Sequence, residues 1–155
     1  MICKKIGIDF HGVLNTNPLF FQSFCNLILA NNGEVYIISG GPHEEILRFL
    51  DTWQIKFTNV WCIYDYFDAK NEVMFLPDGS FHVEDNAWNA AKGIYCFQNN
   101  ISVMIDDSLV YGKYFSTPYC LYDEYGKKGK LFGKTIDFSA NPALSLRKIT
   151  KILNS

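Results

Sequence analysis

The chain has no Cys-x-x-Cys pair, no apolar run long enough to cross a bilayer, no basic stripe, and no linker, repeat or low-complexity stretch. Its five cysteines, Cys3, Cys25, Cys62, Cys96 and Cys120, are odd in number and far apart, which argues against a zinc or redox motif and for buried free thiols. Met1 leads straight into Lys4-Lys5 and a short strand, with neither the apolar core of a signal peptide nor a membrane span, so a reducing cytoplasm is the expected location. Lysines and arginines are scattered and the formal net charge is -2, which leaves no footprint for nucleic-acid phosphates; neither a nucleic-acid nor a membrane partner is expected. With nothing to divide it, the chain reads as a single domain over residues 1–155.

What is present is apolar. Hydrophobic residues make up 48% of the chain and aromatics 16%, ample for one packed core. Runs at 5–10, 35–38, 60–64, 101–105 and 119–122 have strand length and lack polar alternation, as strands buried on both faces do. Between them, helical spacing puts Phe20, Phe24, Leu27 and Ile28 on one face, then Ile46, Leu47, Leu50 and Trp53, then Trp88, Ala91 and Tyr95. Gly40-Gly41-Pro42 closes a strand and offers Pro42 as a first helical residue, while Asp85 and Asn141-Pro142 mark further helix starts. This alternation predicts an α/β fold built on a three-layer, doubly wound parallel sheet. Pro77-Asp78-Gly79, within 72–83, predicts a small hairpin or flap as the minimal cap.

In a doubly wound sheet, ligands bind beyond the carboxyl ends of the strands, where residues distant in sequence converge. Asp9, Ser39 and Asp106 each stand at such an end. Asp9 lies where Ile6-Gly7-Ile8 gives way to Phe10-His11-Gly12-Val13, a position from which a carboxylate is aimed at a crevice and partly desolvated, ready to act as nucleophile or metal ligand.

Taken together, these segments resemble the haloacid dehalogenase superfamily of phosphohydrolases. Asp9-Phe10-His11-Gly12-Val13 matches its first motif, Ser39-Gly40-Gly41 after an apolar strand its second, Lys92 its third, and Val103-Met104-Ile105-Asp106-Asp107-Ser108 its fourth, in the family's order over about three quarters of the chain. The resemblance implies a magnesium-dependent phosphatase in which Asp9 attacks phosphorus and forms an aspartyl phosphate that water hydrolyses. It implies magnesium held by Asp9, the main-chain carbonyl of His11, Asp106 and Asp107, with hard oxygen ligands suited to that ion. Ser39 and the amides of Gly40 and Gly41 would take phosphate oxygens, and Lys92 would neutralise the nucleophile and the transferring group. The partner is then a phosphorylated substrate, small or macromolecular.

One position departs from the family. Its phosphatases carry a second Asp two residues after the nucleophile for proton transfer; here that residue is His11. Imidazole exchanges protons near neutrality, so His11 is a candidate acid/base, but the substitution also admits a catalytically impaired phosphate- or metal-binding module and a metal-independent dehalogenase. Each remaining site residue has a structural alternative. Asp107 suits the start of the following helix, Ser39 suits a cap for the helix at Pro42, and Lys92 suits a solvated helix face, with Lys70 or Lys113 supplying the cation instead. His43 and His82 lack neighbouring ligands, and Trp53, Trp61 and Trp88 fall in apolar patterns that place them in the core.

Overall fold

A computed structural model describes residues 5–155. Strands and helices alternate through most of the chain: β1 (Lys5–Ile8), α1 (Pro18–Ala30), β2 (Glu34–Ser39), α2 (His43–Thr52), β3 (Asn59–Cys62) and α3 (Ile63–Ala69). A two-stranded hairpin follows, β4 (Met74–Phe75) and β5 (Phe81–His82), then α4 (Asp85–Gln98), β6 (Val103–Asp106), α5 (Leu109–Gly112) and β7 (Tyr119–Asp123). The chain continues with β8 (Lys128–Leu131), β9 (Lys134–Asp137) and α6 (Pro142–Leu153). Among the described residues, seven strands form one sheet in the order β3-β2-β1-β6-β7-β8-β9. The five from β3 to β7 are parallel, and β8 and β9 extend the edge antiparallel, so the sheet is mostly parallel rather than wholly so.

The unbroken apolar strands follow from burial on both faces. Successive side chains of a strand point to opposite sides. Val35 and Ile37 accordingly join a large cluster with Phe24 and Ile28 of α1, Ile46 and Leu50 of α2, and Ile149 of α6. Ile38 and Met104 join a second cluster with Cys96 of α4, against which Tyr36, Trp61 and Tyr119 pack. Fully burying each such side chain contributes about 1.5–3 kcal/mol relative to leaving it exposed, so neither face can be left to water.

Several local expectations shift by a residue or two, each for a visible reason. The third strand stops at Cys62, and Ile63 and Tyr64 already belong to α3, because the Tyr64 amide turns to donate to the Gly40 carbonyl at 3.0 Å. Pro42 is the residue before α2 rather than its first, and Ser39 makes no cap bond. Helix α4 is capped by Glu84, whose carboxylate accepts from the amides of Asn86 and Ala87, so Asp85 sits inside the first turn. Asn141 caps α6 ahead of Pro142 as expected, accepting from the amides of Ala143 and Leu144. The hairpin at 72–83 is present, with the tip at Gly79 in a positive-φ conformation.

Cys25, Cys62, Cys96 and Cys120 are buried free thiols, and burial pushes each up to about 12, which keeps them protonated. Cys3 lies outside the described residues. Trp53 is exposed rather than in the core, and Trp61 and Trp88 are half-buried. No helix among the described residues is long and apolar enough to cross a membrane.

Candidate active site

The strand order places a crevice where the sequence puts its carboxylates. From β1 the chain steps outward through β2 to β3, then returns to lay β6 on the other side of β1. Connections therefore leave β1 and β6 in opposite directions, and the space beyond their carboxyl ends stays open for a ligand. Asp9 is the residue after β1, and its amide donates to the Ile105 carbonyl at 2.9 Å, which fixes it beside the end of β6. Asp106 ends β6 itself. Ser39 ends β2 on the other flank, two residues beyond the Ile37 that pairs with Ile8.

Asp9, Asp106 and Lys92 form a buried bridge. The Lys92 ammonium donates to Asp9 Oδ1 and to Asp106 Oδ2, both at 2.8 Å, with all three side chains almost wholly removed from water. Lys92 reaches this position from α4. Gly93, next to it, lacks the Cβ that would collide with the Tyr114 carbonyl, so α4 packs tightly there. Lys70 instead lies over the Tyr66 ring at 4.4 Å, and Lys113 is exposed; neither contacts the bridge.

Asp107 completes a triad with Asp9 and Asp106, their ligand oxygens lying within 4.8 Å of one another. It does not cap α5; Ser108 does, accepting from the Tyr111 amide at 3.0 Å, while Asp106 Oδ1 accepts from the Ser108 amide at 3.1 Å. Gly12 makes room for Asp107. Its φ is +86°, and a Cβ at that position would run into the Asp107 carboxylate. The glycine of the turn after Asp9 is thus required both by backbone conformation and by the acidic residue facing it.

Charge balance in this pocket is uneven. Burial raises the Asp9 carboxyl well above the usual carboxylate range, Lys92 opposes that rise, and Asp106 and Asp107 add to it. Burial would depress the Lys92 ammonium, yet Asp9 and Asp106 outweigh it and the net displacement is upward. Asp107, which stays exposed to solvent, is also raised, chiefly by partial desolvation, with Asp106 adding to the rise. Three carboxylates facing one ammonium leave an excess of negative charge. All the surplus donors are hard oxygens, so the set fits a divalent cation such as magnesium.

No family model, curated protein or solved structure matches the chain. Asp9, Lys92, Asp106 and Asp107 converge as the sequence predicts. The Ser39 hydroxyl is fully buried and has no hydrogen-bond partner, a cost of about 1–3 kcal/mol that a ligand oxygen or water would remove. Gly40 and Gly41 line a cleft next to it.

His11 does not join the carboxylates. Its side chain is 48% exposed, packs edge-on against Phe10, and its Nε2 lies 3.8 Å from a Glu45 oxygen. Conversely, Tyr111 was not singled out in the sequence but touches the site: the Lys92 ammonium sits 4.9 Å from its ring centroid, and its hydroxyl accepts from Trp88 Nε1 at 2.9 Å. Tyr119 braces the segment after Asp107, its hydroxyl donating to the Ser108 carbonyl at 2.6 Å.

Proposed function

We propose that the protein is a magnesium-dependent phosphohydrolase of the haloacid dehalogenase type, with Asp9 as its nucleophile. The bridge from Lys92 to both Asp9 and Asp106 carries this reading. It holds a buried carboxylate next to a cation at the open end of the sheet, with Asp107 alongside and the unpartnered Ser39 hydroxyl at the neighbouring strand end.

Asp9 has one carboxylate oxygen held by Lys92, which leaves the other for attack on phosphorus. The new bond from this oxygen to phosphorus forms as the bond to the leaving oxygen breaks, giving an aspartyl phosphate. Water then attacks the same phosphorus, inorganic phosphate departs, and the Asp9 carboxylate is restored. Lys92 holds a positive charge against the nucleophile throughout, and the Ser39 hydroxyl donates to a phosphoryl oxygen. Magnesium, held by Asp9, Asp106, Asp107 and the His11 carbonyl when bound, neutralises the charge that otherwise repels a carboxylate from a phosphate.

The position of the His11 imidazole, turned toward Glu45, sets the leaving-group preference. A general acid contributes about 10²- to 10⁴-fold, and esters with a poor leaving group depend on it most. Phosphate release in the presence of magnesium is therefore expected from acyl and aryl phosphates, and much more slowly from alkyl phosphates. Release unaffected by chelation of magnesium, or no release from any of the three classes, would refute the reading; the second result together with magnesium binding would favour a binding module.

A further inference from the structure

Next to the Ser39-Gly40-Gly41 strand end lies a cleft of about 380 Å³, lined by Gly40, Gly41, Tyr64, Phe75, Phe81 and Trp88. Its walls come from α3, from the β4–β5 hairpin and from α4. The Phe81 ring stands edge-on to Tyr64 at 4.9 Å and tilted to Trp88 at 5.8 Å, and Phe75 pairs with Phe81 across the hairpin.

We infer that this cleft receives a flat, uncharged aromatic ring carried by the leaving group of the phosphate ester, an inference that rests on the phosphohydrolase reading. Two structural links place the cleft beside the acidic site. Gly40 lines it and directly follows Ser39. Trp88 also lines it and, one helical turn before Lys92, bonds to the Tyr111 whose ring faces the Lys92 ammonium. A phosphoryl group at Asp9 thus has aromatic walls nearby to receive its leaving group.

The chemistry of those walls selects the group. Tyr64 is the only lining side chain that carries an ionisable group, and the Trp88 N–H is already satisfied by Tyr111. A polyol or a charged peptide side chain would leave its water contacts here without replacement. A planar ring loses little on desolvation and gains stacking and edge contacts with Tyr64, Phe81 and Trp88. Phe75 and Phe81 are both exposed, as expected for walls that a ligand covers and that the rest of the fold does not.

Benzylphosphonate and methylphosphonate, which carry the same phosphoryl mimic and are not hydrolysed, separate the ring from the phosphate. Titration calorimetry of the full chain in magnesium is expected to show benzylphosphonate binding about tenfold more tightly, in line with the strength of aromatic stacking. The ratio should fall toward one in Trp88→Ala and in Phe81→Ala; the second substitution is on the exposed hairpin and safeguards the test if the first disturbs α4. Equal affinities in the native protein, or a preference that survives both substitutions, would overturn the assignment of the cleft and leave the phosphohydrolase reading standing. Failure of both phosphonates to bind would overturn both.

Discussion

Asp9→Asn is expected to abolish phosphate release, by about 10⁴-fold or more, while the protein stays folded. The nitrogen lone pair of the asparagine amide is delocalised into its carbonyl, and the amide oxygen is a far weaker nucleophile than a carboxylate, so the covalent route closes. Stability should not fall with activity. Burial and the neighbouring Asp106 and Asp107 hold the Asp9 carboxyl above its usual range, meaning that its charge is a burden on the folded chain in the absence of a cation. Removing that charge leaves Lys92 bonded to Asp106. A phosphate-release assay paired with a thermal melt checks this: lost activity with an unchanged or higher melting temperature is the expected pair. Retained activity would remove Asp9 from the chemistry, and lost activity with a collapsed fold would make its role structural.

Lys92→Met is expected to lower stability by about 3–5 kcal/mol without magnesium, the range for removing one partner of a buried ion pair. Methionine keeps most of the stem volume, so the loss comes from two buried carboxylates left facing each other without the ammonium now 2.8 Å from each. The deficit should depend on pH. A carboxyl whose folded pKa lies above its unfolded value gives stability that is full below the unfolded value, near 4, and is lost as pH rises through the folded one. Asp9 is already displaced upward with Lys92 present and would move further without it. The variant should thus be close to native in stability near pH 4 and weakest at pH 8, and magnesium should restore part of the difference at the higher pH. Urea unfolding at the two pH values, with and without the ion, measures each term. A uniform deficit at all pH values would mean that Lys92 acts by packing alone.

The parallel strands and the acidic cluster were legible in the sequence because both are written locally. Val35-Tyr36-Ile37-Ile38 is apolar at every position since both faces are covered, and Asp9 and Asp106 stand at the ends of such runs. The edge hairpin of β8 and β9 leaves a fainter trace in the sequence. Its buried residues, Gly129, Leu131 and Ile136, alternate with polar residues over only four residues per strand, a weaker pattern than a continuous run. Phe132-Gly133, both at positive φ, was the available turn signal. Trp88 fits an apolar helix face and so reads as core, although its spacing of four from Lys92 places the two on one side of α4. The orientation of His11 toward Glu45 had no local signal, since it depends on how α2 docks against the turn after β1.

That Asp9 takes a phosphoryl group beside a divalent ion shared with Asp106 is tested most directly with beryllofluoride, which mimics a phosphoryl group bound to a carboxylate oxygen. Fluorine NMR of the native protein should show bound resonances that require magnesium, vanish in Asp9→Asn and weaken in Asp106→Asn. Bound resonances that persist without magnesium, or in Asp9→Asn, would contradict the account.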